Sequence, residues 1–210
     1  MEVLAAALIM LVLAGGALYA MGNKLAREQV EAACRFFEAV DASNGFAAVE
    51  APGVNLRRGE FALLHGPATL HEVRKHRYST GQSYRVMKGF YVSQRQYKSR
   101  ESLDEVARGS LCVTNRRVLF VGGVKTATVA FRDLVSVETV GGHTYLHSAT
   151  RQKPVVIGHD RYLLVSLLVQ FLSSLELAEP KLPAGFRIAA SPGAEAGSVN
   201  LRFVEQPQAA

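Results

Sequence analysis

An alternating run of residues between Gly109 and Val140 constrains the fold of this chain more than any other stretch. Apolar residues alternate with polar or small residues on both sides of Thr114-Asn115-Arg116. The apolar positions are Leu111, Val113, Val118 and Phe120. A period of two is typical of half-buried strands, and Thr-Asn favours the turn that folds one strand back on the next.

The same run continues through a second reversal. Gly122-Gly123 permits a tight turn, because glycine accepts a positive φ without a Cβ clash. The alternation starts again at Val129, breaks at Arg132-Asp133 and resumes at Val135. The run therefore predicts an antiparallel meander.

Weaker β patterns lie before and after this meander. Phe61 to Arg77 predicts one strand or a strand pair broken at Gly66-Pro67, and Tyr84 to Tyr97 predicts two more strands with a turn at Lys88-Gly89. The polar stretch Ser99 to Arg108 predicts a loop. Two final strands are expected at residues 143–148 and 155–158.

An apolar helix is predicted after these strands, with Asp160 as its cap and Arg161–Leu177 as its body. Its apolar residues cover much of the circumference, which indicates burial on more than one side. With 210 residues, 49% of them hydrophobic and 20% charged, the chain has the composition of a globular protein with a sizeable core.

The residues from Val3 to Met21 carry no charge and nearly suffice to span a bilayer as a helix. A cleavable signal peptide is the alternative, with Ala20 as a cleavage position, but Glu2 is atypical of a signal-peptide start. Lys24 and Arg27 follow at once, so the positive-inside rule predicts an inner (plasma) membrane protein with its amino terminus outside and the rest cytoplasmic.

An amphipathic helix is predicted from Leu25 to about Val40, as a stalk leaving the membrane. Its apolar stripe requires a partner, either the folded domain or another copy of the chain. The domain division expected from these patterns is an anchor at 1–22, a helical stalk and linker at 23–56, a folded domain at 57–178 and an extension at 179–210. Alternation around Phe186 and Leu201 predicts a hairpin in that extension, followed by a frayed end.

About seven short antiparallel strands and a carboxyl-terminal helix form the layout of pleckstrin-homology-like (PH-like) barrels. The run Gly109-x-Leu111-x-Val113-Thr114-Asn115-x-Arg117-Val118-x-Phe120 resembles the signature of GRAM and related bacterial PH-like domains. The resemblance covers roughly Arg57 to Leu177. It implies a mainly β protein, an α+β fold in which about seven strands form a closed barrel and Asp160–Leu177 closes one end. It implies no site residue, because these domains share no single lipid-binding motif.

No catalytic motif occurs in the sequence, and an enzyme is not expected. Two distant cysteines, Cys34 and Cys112, have no metal-ligand spacing. His143 and His147 would lie about 13 Å apart on one strand, too far to share an ion. The remaining histidines are expected at surfaces or strand ends: His65, His71, His76 and His159. No metal and no cofactor are therefore predicted.

A basic window between His71 and Arg100 is the best functional lead, with eight Lys or Arg residues against one acid, Glu72. The candidate binding residues are Arg74, Lys75, Arg77, Arg85, Lys88, Arg95 and Lys98. Three interpretations stay open: a solvated charged face, a surface for anionic lipid headgroups or a membrane-protein partner, and a nucleic-acid surface. The last is disfavoured because no nucleic-acid-binding module is evident. The alternative function is a self-associating structural subunit of a membrane complex.

Overall fold

The computed structural model describes residues 24–87, 90–175, 177–183, 186–193 and 198–205, with side chains described outside 75–100 and 203–205. The helices are α1 (residues 24–42) and α2 (Tyr162–Ser174). The strands are β1 (Ala62–Met87), β2 (Phe90–Thr114), β3 (Arg117–Gly122), β4 (Thr126–Ala130), β5 (Leu134–Val140), β6 (His143–Ser148), β7 (Val155–Gly158), β8 (Phe186–Pro192) and β9 (Val199–Glu205). The described chain is therefore mainly β.

Seven of the strands form one antiparallel sheet in the order β4-β3-β2-β1-β7-β6-β5. β4 and β5 are its two edges, yet only the short turn Phe131–Asp133 joins them along the chain, so the sheet must curl round on itself. No ladder pairs β4 with β5 within the described residues, so the sheet is open. The predicted closed barrel is wrong.

The predicted carboxyl-terminal helix exists as α2, but it does not close the end of a barrel. α2 begins at Tyr162 and packs against β5 and β6, and its N-cap residue is Arg161, without a side-chain cap, rather than Asp160. Gln170 Nε2 donates to the Val137 carbonyl of β5, 3.3 Å away, so the helix partly covers that sheet edge.

The predicted transmembrane helix is not shown. Val3–Met21 lies outside the described residues, and no helix among residues 24–205 that the structure describes is long and apolar enough to cross a membrane. This part of the fold-class prediction is therefore corrected as well.

α1 packs into the same core as the sheet. Its buried residues include Ala33, Phe37 and Val40. Phe37 lies 5.9 Å from Phe171 of α2 between ring centroids, and Phe46 lies 5.6 Å from the same ring. The apolar stripe of α1 therefore finds its partner within the chain, which explains why α2 is apolar around most of its circumference.

The meander prediction agrees with the observed register from β2 to β4, whereas its last strand, β5, pairs with β6 and not with β4. β2 pairs with β3 from Gly109↔Gly122 to Val113↔Val118, and β3 pairs with β4. At Gly109 an added Cβ would collide with the backbone of Val121 and Gly122, so this position requires glycine. The close approach of the two strands depends on it.

Two local predictions about the first strands were wrong. Gly66-Pro67 does not break β1, and the predicted loop at 99–108 belongs to β2. Proline is tolerated because β1 pairs only with β2 at that point and meets β7 only from Thr69 onward. The two strands therefore form one continuous hairpin of unusual length.

Candidate functional site

β1 and β2 extend together far beyond the sheet. β7 pairs with β1 only as far as His71, and β3 pairs with β2 only from Gly109. Residues 72–87 and 90–108 pair only with each other, and we name residues 72–108 the arm. At about 3.3 Å per residue, residues 72–87 extend for roughly 50 Å. The arm is a two-stranded ribbon that leaves a compact sheet.

The distal part of the arm carries charge of one sign. Between Arg74 and Arg100 the sequence contains eight Lys or Arg residues and no Asp or Glu. All seven predicted binding residues fall there: Arg74, Lys75, Arg77, Arg85, Lys88, Arg95 and Lys98. Lys88 lies outside the described residues, and the other six lie in β1 or β2. The cations are therefore collected on one element.

The strand register distributes these cations over both strands. Arg77 pairs with Ser99, Arg85 with Tyr91, and Arg95 with Gly81. Of the six predicted binding residues that the structure describes, Lys75 lies opposite an acid, Glu101, and the other five do not. Most of the arm therefore has no acidic residue across the ribbon.

The segment where the arm joins the sheet, residues 69–74 of β1 and 104–109 of β2, is named the root, and it is charge-balanced instead. Arg108 Nε donates to Glu105 Oε1 at 2.6 Å, and this contact lowers the pKa of Glu105. Lys125 pairs with Glu72. Arg74 Nε lies 3.8 Å from Asp104 Oδ2, and the Arg74 side chain is 55% exposed. Acids thus accompany cations at the root, whereas none occurs in the sequence between Arg74 and Arg100.

α1 begins at the same end of the molecule as the root. Gln29 Nε2, near the start of α1, donates to the Asp160 carbonyl at 2.6 Å. Asp160 comes two residues after Gly158, and Gly158 pairs with Thr69 at the root. The other end of α1 lies near the start of β1. Gly45, just after α1, bridges to Lys181, and Leu177, four residues before Lys181, accepts a hydrogen bond from Asn115. Asn115 in turn accepts a hydrogen bond from the Phe61 amide, directly before β1. α1 is therefore antiparallel to β1, and its first turn and the arm occupy one end of the domain.

Histidines that are scattered in the sequence lie near one another beside the root, where His71 contacts His143. The rings of His71 and His143 contact edge-to-face with centroids 4.5 Å apart. His71 Nε2 shares a hydrogen bond of 2.8 Å with Thr69 Oγ1. His159 and His65 line a neighbouring cavity of about 170 Å³. Sequence spacing gives no signal for this cluster, because it depends on the pairing of distant strands.

A larger hollow of about 490 Å³ runs along the root, between β1 and the chain that follows β7. Its walls include Thr69, Arg108, Gly158 and His159. Burial lowers the pKa of His159, whose side chain is 4% exposed. Within the described residues, no group of three or more His, Cys, Asp or Glu side chains is arranged to hold a metal ion.

The Thr-Asn-x-Arg signature serves the fold. Thr114 Oγ1 donates to Glu60 Oε1 at 2.8 Å, and Arg117 donates to both carboxylate oxygens of Glu60 at 2.7 and 2.8 Å. The Glu60 side chain is fully buried. Burial alone would raise its pKa, but these hydrogen bonds and one from the Arg57 amide hold the pKa below its usual value. The cluster is a satisfied structural pair rather than a reactive carboxyl.

The buried thiols are also inert. Burial raises the pKa of Cys112 to about 11 and raises that of Cys34 as well. A thiol with a raised pKa is a poor nucleophile at neutral pH, because the thiolate is the reactive form. Neither cysteine is a candidate catalytic residue.

No protein-family model and no curated protein matches the chain. The arm therefore has to be interpreted from its own chemistry.

Proposed function

We propose that this chain is a non-catalytic, membrane-associated binding protein whose arm contacts anionic lipid headgroups. The observation that supports this function best is the concentration of cations on a ribbon that extends beyond the sheet and carries no acid from Arg74 to Arg100. Each Lys or Arg near an anionic leaflet gains on the order of 1 kcal/mol. A solvated face that only maintains solubility would ordinarily carry charges of both signs.

The position of α1 adds a second argument. The uncharged run Val3–Met21 directly precedes α1, and α1 begins beside the root of the arm. A chain attached to a membrane through this run would hold the root close to the headgroups. The apolar run and the arm would then contact the same membrane. Because the run would hold the arm close to the headgroups, it would raise the effective concentration of headgroups at the arm.

The resemblance of residues 109–120 to GRAM-type domains stays a prediction. It is compatible with binding at membranes, but the signature residues hold the turn between β2 and β3, and the proposal does not depend on them. The alternative of a self-associating subunit loses its main argument, because the apolar faces of α1 and α2 pack against each other.

Flotation with liposomes tests the proposal. Residues 24–210 are the suitable fragment, because they omit the apolar run but keep Phe37 and Phe46, which a fragment starting at 57 would remove from the core. We expect binding to phosphatidylserine-containing vesicles, weakening as salt rises, and no binding to neutral vesicles.

A charge-reversed variant and a matched control sharpen the test. Arg77→Glu with Arg95→Glu and Lys98→Glu should abolish binding to anionic vesicles. The matched control reverses three exposed arginines outside the arm, Arg58, Arg116 and Arg132. It has the same net charge as the arm variant and should reduce binding only slightly. Equal losses in both variants, or binding that persists in the arm variant, would contradict the proposal. Salt-sensitive binding to nucleic acid but not to vesicles would contradict the lipid proposal and would identify nucleic acid as the ligand of the arm.

A further inference from the structure

The root of the arm combines three features of a hinge. β7 stops pairing with β1 at His71, so the ribbon loses its third strand there. The register of β1 against β2 shifts between Leu70 and His71, which leaves Val106 as an extra residue on β2. Such a bulge bends and twists a ribbon locally. His71, at the hinge itself, contacts His143 of β6.

We propose that the contact between His71 and His143 is a pH-sensitive clasp, which holds the root of the arm against β6 and β7 at neutral pH and opens on acidification. The proposal concerns the arm as a structural element and stands whether or not the arm binds lipid.

The clasp is compatible with neutral rings and not with charged ones. His71 Nδ1 is buried and has no hydrogen-bond partner, so a proton added there would have no acceptor. Burial lowers the pKa of His71, and the neighbouring His143 lowers it further, while Glu105 acts in the opposite direction. Two imidazolium rings with centroids 4.5 Å apart would also repel each other.

The charged groups around the clasp are already paired. On β2, Glu105 is bound by Arg108, and on β1 Glu72 is bound by Lys125 from the β3–β4 turn. In the β6–β7 turn, Lys153 Nζ lies 3.4 Å from the Val73 carbonyl and adds positive charge.

β6 and β7 contribute no acid at the clasp itself. His143 Nδ1 donates to the Gly141 carbonyl at 3.0 Å, and β7 contributes Gly158. Asp160, beyond β7, lies 2.9 Å from His159 Nδ1 and acts on that ring. No carboxylate among these neighbours is free to compensate a second imidazolium.

Tight packing at Gly158 leaves no slack within the closed root. A Cβ at this position would lie 2.5 Å from Thr69 Oγ1, 3.1 Å from His71 Nε2 and 3.3 Å from His143 Cδ2. Side chains from β1 and β6 therefore converge on this one glycine of β7, and opening of the root would take both rings away from it. Since an open root lets the His71 ring meet water, His71 binds a proton more tightly in the open state, and acid therefore favours opening.

Amide hydrogen exchange of the full-length chain in detergent micelles, corrected for the intrinsic pH dependence of exchange, tests the clasp without any lipid ligand. The relevant amides are in the β1–β7 ladder, at 69–71 and 156–158. Between about pH 7.5 and about pH 5.5, on either side of the ordinary histidine pKa, we expect protection of these amides to fall several-fold, because the open root binds the added proton more tightly than the closed one.

The variants are His71→Gln, whose amide can still bond Thr69, and His147→Gln, a control on the same β6 strand that lies outside the clasp. His71→Gln should remove the pH response, and His147→Gln should retain it. Constant protection in the unmodified chain, or a full response in His71→Gln, would overturn the clasp. If His71→Gln does not fold, His143→Asn leaves the Thr69–His71 bond in place and should weaken the pH response, because burial of His71 remains; an undiminished response in His143→Asn would overturn the clasp. A chain that shows the response but does not float with vesicles would keep the clasp and refute only the lipid proposal.

Discussion

Asn115 connects three segments of the chain that are far apart in sequence. Its Oδ1 accepts from the Phe61 amide at 3.2 Å, and its Nδ2 donates to the carbonyls of Leu177 at 2.9 Å and Gly59 at 3.3 Å. The side chain is buried, so removal would leave buried backbone groups without partners. One turn residue thereby fixes the start of β1 and the chain after α2.

We expect Asn115→Ala to lower the free energy of unfolding by about 2–3 kcal/mol, because several buried hydrogen bonds are lost together. Urea denaturation followed by circular dichroism measures the change. Arg116→Ala, at the next and exposed position, is the matched control and should stay within about 0.5 kcal/mol of the parent. Similar losses in both variants would show that the turn, and not the Asn115 side chain, is responsible.

The sequence predicted this turn but not its contacts. Thr-Asn favours a reversal through local chemistry, which a short stretch reveals. Glu60 lies 54 residues before Thr114 along the chain, and no pattern of spacing connects them. The histidine cluster was missed for the same reason, since His71 and His143 meet only through the order of the strands.

Among the elements, the β8–β9 hairpin is attached to α1 in part through a single carboxylate. Asp41, near the end of α1, accepts from Arg187 at 2.6 Å and from the Ile188 amide at 2.8 Å. The side-chain hydrogen bond from Arg187, followed by that from the Ile188 amide, lowers the pKa of Asp41 to about 2. The attachment is therefore strongest when this carboxylate is ionised.

Acid should weaken this attachment in a defined range. Because the pKa of Asp41 is lower in the folded than in the unfolded chain, its stabilisation is complete above about pH 4 and is lost as the pH falls towards 2. Exchange of the Ile188 amide, measured by NMR and corrected for intrinsic rates, should accelerate over that range. Asp41→Asn should show the faster exchange already at neutral pH, with amides of β3 unaffected as the internal control. Slow exchange of Ile188 in Asp41→Asn would contradict the role of the carboxylate.

Element prediction succeeded where side-chain alternation and turn chemistry agreed, as in the meander from β2 to β4. It failed in the arm, where polar and basic residues hide the period of two and Ser99–Arg108 looked like a loop. It also placed a break at Gly66-Pro67, because proline ordinarily ends a central strand. Only the pairing of neighbouring strands shows that β1 has a free side at this point.

For the whole molecule, the buried histidines predict a stability that rises with pH. Burial lowers the pKa of both His71 and His159 in the folded chain, so below about pH 6.5 the unfolded state binds more protons. The midpoint of thermal unfolding should therefore fall between about pH 7 and pH 5. Differential scanning calorimetry measures it, and His71→Gln with His159→Gln should flatten the dependence. An equally steep dependence in this double variant would assign the effect to other groups.

Overall architecture was predicted as mainly β, but closure of the sheet was not predictable. Strand count and a final helix are equally compatible with a closed barrel and with a curled open sheet. The distinction depends on whether β4 and β5 share a ladder, which the residues of neither strand reveal.

The packing of α1 against α2 has a consequence for synthesis of the chain on the ribosome. Phe37 emerges early, while its neighbour Phe171 follows only after the whole sheet has been made. Because domains fold as their segments become available, the buried side of α1 stays without its partner until α2 has left the exit tunnel. Nascent chains that stop before Tyr162 should therefore expose this side to chaperones, and release of a few further turns of helix should end that exposure.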